Sequence, residues 1–414
     1  MTATRARPAR QVCGRKDSPV NRIPVTSPAA VAVFRRILTH GPVARVDIAR
    51  DTGLSAAAVT KAVTPLIAAG FVSESSDPRA TATVGRPTSP LAVVPDRAHV
   101  IGIKVTADRT YGVRTDLGAT VRARADEENA GSSVEAVRDA VVRVVDRLTA
   151  GAEGPIGGIG IALSGDVDRA GGRVRDSALL GWQGVPFARM VQEATGIPTL
   201  LDNDVRALTT TELLFGAGRD AESFAVVTIG AGTGCGLYLN GRVVQGAFGV
   251  AGEIGHLPFA PAHLDCRCGR RGCVEAAASS AAILSLVREG RGQPDLAIGD
   301  VFALAHAGDP VARAVFAQAG RAIGTALAAV VNLTGPELVV FAGENVTEYG
   351  LYEEQVRAAF AEYAFGAAGD CAIVLRPHAF EDWARGAAAC VIEDIASGVA
   401  VPAPREESSV SEGA

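Results

Sequence analysis

Apolar residues fall into helical spacing soon after residue 27. Val31, Phe34, Ile37 and Leu38 mark one face of a helix that opens at Pro28 and is stopped by Gly41-Pro42. A shorter helical stretch runs from Val43 to Asp51, and Thr52-Gly53-Leu54 reads as a tight turn. Ser55 is a strong N-cap for a third helix, with Val59, Val63, Leu66 and Ile67 on its apolar face and Gly70 at its end. Pro65 lies inside that helix, where it removes a backbone hydrogen bond and predicts a kink in the last turn. Phe71-Val72-Ser73 and Ser89 to Val93 read as two strands flanking a polar loop. From His99 the pattern changes. Apolar runs at Val100–Val105, Ile156–Leu163, Phe224–Ile229 and Leu338–Ala342 read as buried strands. Helical segments lie between and around them, near 132–148, 185–195, 203–216, 276–290 and 311–332. That alternation implies an α/β body of layered sheets. A strand–loop–strand start near 100 and again near 224 suggests two similar lobes.

Helix, helix, tight turn, helix and hairpin make up a winged helix-turn-helix, in which the third helix enters the major groove. Candidate DNA contacts are Arg45 on the second helix, and Ser55, Ala56, Ala57, Thr60 and Lys61 at the start of the third. Small side chains there allow close approach. Gly85-Arg86-Pro87 at the wing tip presents a guanidinium on a rigid turn, suited to a narrow minor groove. Charge agrees: through Pro95 there are 13 Lys/Arg against 5 Asp/Glu, and 27 against 40 in the remainder. A basic front on an acidic body points to nucleic-acid contact by the front, although a solvated basic tail has the same composition. The expected organisation is a disordered arm over 1–26, a DNA-binding domain over 27–95, a two-lobed domain over 98–400 and a disordered tail over 401–414.

Seven cysteines are an odd number for a disulfide scaffold, and three of them crowd into eight residues. Cys266, Cys268 and Cys273 follow His256 after a nine-residue gap, with Gly269 and Gly272 to turn the chain. Three thiolates and one imidazole match a closed, structural tetrahedral zinc site, with no position left for a catalytic water. There is no apolar run of 18 residues and no secretory signal. The expectation is a cytoplasmic protein with no membrane partner.

Glu253-Ile254-Gly255-His256 followed by Cys266-Arg267-Cys268-Gly269-Arg270-Arg271-Gly272-Cys273-Val274-Glu275 resembles the signature of the ROK family of repressors and sugar kinases. The winged helix and Gly-Arg-Pro resemble its regulator branch. The resemblance implies the two-lobed fold shared with sugar kinases, actin and the Hsp70 ATPase domain. It implies that Asn203, Asp204, Glu253, His256 and Glu275 bind sugar hydroxyls, and that Asp204 would be the general base in a kinase. His256 would hold zinc through one ring nitrogen and sugar through the other. Asn203 and Asp204 also suit the cap of the helix that follows them.

Gly232, Thr233 and Gly234, within Ile229–Gly236, resemble a second phosphate loop, although a glycine-rich turn between strands reads the same way. The first phosphate loop departs from its pattern. The family's Asp-x-Gly-Gly-Thr falls within Gly102–Arg109 here: the Gly-Gly pair is missing, Lys104 stands where the Asp is expected, and Thr106 is the one remnant. The adenosine-side Gly-Gly reads Ala342-Gly343-Glu344. Losing a metal-binding carboxylate and close backbone approach removes what phosphoryl transfer depends on. The chain is therefore expected to use neither ATP nor Mg²⁺. The expected function is a sugar-responsive regulator, a homodimer or homotetramer binding a double-stranded operator and a sugar or sugar phosphate. An active sugar kinase, or a chain captured by a protein partner, are the alternatives.

Overall fold

The structure, a computed structural model, describes residues 23–74 and 89–399. The head opens with α1 (Pro28–His40), whose first turn is capped by Ser27 Oγ accepting from the Ala30 N–H at 3.2 Å. Helix α2 (Arg45–Thr52) ends on Gly53, and α3 (Ala56–Ala68) is capped by Ser55 Oγ accepting from the Ala58 N–H at 3.2 Å. Pro65 does not end α3, which runs on to Ala68. Strands β1 (Val72–Glu74) and β2 (Leu91–Val93) pair antiparallel, with Val72 opposite Val93. Phe34, Ile37, Leu38, Val59, Val63 and Leu66, which the spacing marked, are buried between the helices together with Val33 and Ile48, while the marked Val31 and Ile67 are half-buried. The wing tip and Arg86 lie outside the described residues, as do 1–22 and 400–414. The boundary of the arm needs correction. Ile23 and Val25 are not part of a disordered segment; they are buried, because they cover the end of the last helix of the body.

The first lobe begins with a meander of β3 (His99–Val105), β4 (Arg109–Asp116) and β5 (Val121–Glu128). Helix α4 (Val134–Thr149) leads to β6 (Ile156–Leu163), and a small flap follows from β7 (Asp166–Asp168), β8 (Arg173–Ser177) and β9 (Trp182–Val185). Helix α5 (Phe187–Thr195) and β10 (Thr199–Asn203) complete a sheet of order β10-β6-β3-β4-β5. Helix α6 (Asp204–Phe215) crosses to the second lobe.

That lobe starts with β11 (Phe224–Ile229), β12 (Thr233–Leu239) and β13 (Arg242–Val243). The predicted helix at 276–290 is two helices, α7 (Glu275–Ala278) and α8 (Ser280–Arg291), because Ser279 leaves helical geometry and caps α8 through the Ala282 N–H. Helices α9 (Ile298–His306) and α10 (Pro310–Thr334), strand β14 (Leu338–Gly343), helix α11 (Glu353–Tyr363), strand β15 (Ala372–Pro377) and helix α12 (Phe380–Ala396) close the fold. The sheet order β13-β12-β11-β14-β15 repeats that of the first lobe strand for strand, so the two similar starts were the visible part of a duplicated topology. Helix α10 is long and apolar enough to cross a membrane, but its apolar face, from Ala312 through Phe316 and Ile323 to Val331, is packed in the second lobe's core.

Helix α12 holds these parts together. A Cβ on Gly102 of β3 would come within 1.9 Å of the Ala384 carbonyl, and one on Gly160 of β6 within 2.0 Å of the Ala387 carbonyl. Bare glycines below, and Ala384, Gly386, Ala387 and Ala388 above, let the helix lie directly on the sheet. The same core cluster runs from Val33, Phe34 and Val63 in the head to Ala388, Val391 and Ile392 on α12. Head and body therefore share one apolar core. Charge reinforces the junction: Arg35 on α1 pairs with Glu393 on α12, and His40 Nε2 lies 2.8 Å from Asp220 Oδ1.

A buried ion network lies beneath. Asp202 on β10 accepts from Arg206 Nε at 2.7 Å and from Arg169, which also donates to Asp394 of α12 at 2.6 Å. Burial pushes the Asp202 carboxyl up, but Arg169 and Arg206 outweigh it and hold the carboxyl below its usual range. Its stabilising contribution is complete above the unfolded aspartate value of about 3.9 and is lost as pH falls through the lowered folded value. Asp202→Asn leaves both guanidinium groups short of a counter-charge. It should cost about 3–5 kcal/mol at neutral pH and flatten the acid side of the stability curve, as thermal melts across pH would record.

Candidate ligand cleft and metal centre

The predicted ligand residues converge from both lobes. Asn203 ends β10 and caps α6: its Oδ1 accepts from the Val205 and Arg206 N–H groups at 3.0 and 3.2 Å. Its Nδ2 donates to the Gly165 carbonyl at 3.1 Å, so an amide has both oxygen lone pairs and one of its two N–H bonds engaged. Capping thus leaves one N–H for a ligand, and the two expected roles coexist.

Asp204 is buried beside it. Its Oδ2 accepts from Lys104 Nζ and, at 2.6 Å, from Ser164 Oγ, and Oδ1 accepts from the Val205 N–H at 2.9 Å. Burial alone would raise this carboxyl, but the Lys104 charge and these hydrogen bonds offset it and the group is held low. A carboxylate so stabilised is a poor proton acceptor. Lys104 also lies 5.1 Å from the centre of the Trp383 ring. The residue found where the family has an aspartate therefore grips the would-be general base. The sequence marked Lys104 as a departure but gave no sign of its partner 100 residues away.

Across the cleft, the segment of Glu253 and His256 packs on β12. A Cβ on Gly255 would meet the Thr233 carbonyl at 2.2 Å, and the Cys235 N–H donates to the Gly252 carbonyl at 3.1 Å. Glu253 is exposed as a residue, but protein atoms crowd its carboxyl and take water from it. That loss of water pushes its carboxyl up; His256 and Arg206 pull it down, while Asp204 and Glu275 push it up further. The charges of all four of these residues are felt at Glu253. Glu275 begins α7, and its Oε2 lies 3.4 Å from the Thr233 N–H. Arg206 ties this side to the first lobe, donating to the Gly249 carbonyl and, at 3.0 Å, to the Val167 carbonyl. The sequence alone gave no sign of this role for Arg206.

Behind the cleft, one ligand atom from each of His256, Cys266, Cys268 and Cys273 lies within 4.8 Å of the other three. Cys266 Sγ is 3.8 Å from His256 Nδ1, and Cys268 Sγ is 3.8 Å from Cys273 Sγ. A tetrahedral ion with metal–sulfur bonds of about 2.3 Å has edges of nearly that length, so the cluster fits one closed metal site. His256 turns Nδ1 to the thiols, which leaves Nε2 for another partner. Burial disfavours the Cys268 thiolate, but hydrogen bonds led by the Arg270 side chain bring it to about 6, toward the form a metal takes.

The phosphate-loop residues are less open than their spelling suggests. Thr106 Oγ1 is engaged within its own turn: it lies 2.7 Å from Asp108 Oδ1 and 2.8 Å from the Arg109 carbonyl, one of which takes its hydrogen, and it accepts from the Arg109 N–H at 3.1 Å. Gly232 is exposed at the β11–β12 turn, Thr233 is buried and Gly234 faces Val205. On the head, Ser55, Ala56, Ala57, Thr60 and Lys61 are all exposed on one stretch of α3. Arg45 is half-buried and paired with Glu74 at 2.7 Å.

A duplicated two-lobed body of this topology, carrying a three-helix head, is the actin-like kinase fold joined to a winged helix. The chain belongs to the ROK family, whose sequence model matches residues 100–394. It is 30% identical over 331 residues to the N-acetylglucosamine repressor of Escherichia coli O6:H1, covering 77% of this chain and 80% of that one. The crystal structure of a ROK family transcriptional regulator, a homologue of the E. coli MLC protein, superposes with TM-score 0.76 and 27% identity over 89% of this chain and 96% of that one. A ROK hexokinase from Thermus thermophilus matches the body alone, at TM-score 0.61 and 29% identity over 70% of this chain and 96% of that one. The family therefore holds both regulators and kinases.

Lys104→Ala would strand the Asp204 carboxylate in the interior. We expect a loss of about 3–5 kcal/mol in denaturant unfolding at pH 7, recovered in part at low pH where Asp204 takes up a proton.

Proposed function

We propose that the chain is a cytoplasmic transcriptional repressor that binds a double-stranded operator through its head and senses a sugar or sugar phosphate in the interlobe cleft. The observation that carries this reading is the core shared by the head and α12, the helix that lies against the first lobe and pairs with α6 at the cleft. A head built into the sensor in this way can feel a change in the cleft, and a head on a free linker could not. Asn203, Glu253, His256 and Glu275 offer the amide, carboxylate and imidazole groups that take polyol hydroxyls. Ser55, Ala57, Thr60 and Lys61 present the exposed start of α3 to the major groove, with Arg86 on the wing and Arg45 beside them. A homodimer or homotetramer would set two heads on a two-fold symmetric operator. Sugar shifts DNA affinity to the extent that it prefers one lobe arrangement, typically by ~1–3 kcal/mol.

We read the metal as structural zinc. Its role is to fix the loop that carries His256, so that the imidazole is presented to the ligand in one orientation. The reading as a sensor without kinase chemistry is supported by Lys104 on Asp204 and by the self-bonded turn at Thr106. The kinase reading keeps one supporting observation, the likeness of the body to a hexokinase.

Anisotropy of a labelled duplex from upstream of the gene, at fixed salt, tests the main reading with a panel of sugars and sugar phosphates. Binding tighter than to random DNA, shifted by one of these ligands, is expected. Equal binding to random DNA together with ATP turnover on the same sugars would replace the repressor with the kinase. Lys61→Ala should weaken operator and random DNA alike and lower the salt dependence, with the melting temperature unmoved. For the metal, Cys268→Ser should drop zinc content from about one per chain to near zero by atomic emission and weaken sugar binding. Full zinc content in that variant would sink the ligand assignment.

A further inference from the structure

The β11–β12 hairpin turns at Gly230-Ala231-Gly232, with Ile229 opposite Thr233 in register. The Ala231 N–H donates to Glu344 Oε1 at 2.6 Å, a distance typical of a strong charge-assisted bond. The carboxylate also lies over Gly230. A Cβ there would come 2.1 to 2.3 Å from the Glu344 carboxyl carbon and both its oxygens. The space a side chain would fill at 230 is therefore taken up by an anion from the turn that follows β14.

Glu344 is held in that place from both sides. Gly343 has φ of 112°, and a Cβ on it would lie 2.4 Å from the Ile229 carbonyl, so the backbone before Glu344 is pressed onto the same hairpin. Asn345 Nδ2 donates to Ser280 Oγ at 2.9 Å, and the Ser280 N–H donates to the Gly230 carbonyl at 2.8 Å. The turn has donor capacity left over. Thr233 Oγ1 is buried and has no hydrogen-bond partner among the described residues. The Thr233 N–H has Glu275 Oε2 at 3.4 Å.

An exposed glycine turn that already holds a carboxylate, with an unpaired hydroxyl at its end, has the chemistry of an oxyanion site. We infer that Gly230–Thr233 is an anion-binding turn whose resident anion is the chain's own Glu344 carboxylate, and that Glu344 keeps phosphate-bearing ligands out of it. A second anion arriving there meets the Glu344 and Glu275 charges. The one buried ammonium at the cleft, Lys104, is committed to Asp204. The inference rests on the reading of the cleft as a sensor that takes no nucleotide, and it names the residue that enforces this.

Isothermal titration of the full-length protein, Glu344→Ala and Glu344→Gln with inorganic pyrophosphate, and separately with ADP, tests it. The unaltered protein should give no binding heat. Both variants should give measurable pyrophosphate binding, at least roughly tenfold tighter than the detection limit that bounds the unaltered protein, as expected when a competing charge leaves a preformed donor set. ADP heat in addition would mean that the nucleoside side is intact as well. If both variants melt cooperatively and bind neither probe, Glu344 is no plug and the inference fails, while the sensor reading stands. If the unaltered protein binds either probe as tightly as the variants, the inference fails; should that probe be ADP, the sensor reading fails with it. Should Glu344→Ala not fold, the isosteric Glu344→Gln decides alone.

Discussion

A helix can lie flat on a sheet only where side chains on both surfaces make room. Here the room comes from Gly102 and Gly160 on two neighbouring strands and from a run of alanines and one glycine on α12. Much else follows from that contact. It brings Val391 and Ile392 under the head helices, Glu393 to Arg35, and Asp394 to Arg169. It also sets Gly386 against the backbone of α6 at Ala207, three residues beyond the general-base position. Interiors packed this closely do not deform continuously. A larger residue at either glycine would lift α12 away from the sheet and from the head together.

The polar groups follow the same line. From the loop at Gly249 a chain of contacts runs through Arg206, Asp202 and Arg169 to Asp394, next to the glutamate that holds α1. These are buried charges, each costly to leave unpaired and each with a partner on a different element. Such a network favours one arrangement of the elements over its neighbours. It gives the cleft loop and the head a physical connection through atoms in contact, which is the minimum that coupling between the two requires.

Much of this could be read in the sequence, and the limits were physical. Elements with strong periodicity or continuous apolar runs, such as α1, α3, β6 and β11, came through with nearly correct ends. The metal cluster was legible because its ligands lie within 18 residues of each other and its chemistry fixes the spacing. The flap strands β7 to β9 were not, since runs of three to five residues are too short to show a period. Helix α12 was missed as well: alanine and glycine all round give no amphipathic stripe, though they are what lets it pack. Lys104 and Glu344 were visible as departures from a pattern, but what they do depends on partners 100 and 113 residues away. Arg206, two residues beyond Asp204, carried no signal until its carbonyl partners were in place.

The pairing of Lys104 with Asp204 also bears on how this sequence can change over time. Lys104 and Asp204 form an ion pair in a dry part of the molecule, each charge neutralised by the other. Replacing either alone leaves an uncompensated charge worth several kcal/mol, against a total stability for such domains of about 5–15 kcal/mol. A lineage at this point cannot drift back to an aspartate at 104 through neutral single steps. It must exchange both positions at once or pass through a less stable protein, so stability acts as a ratchet on the cleft's chemistry.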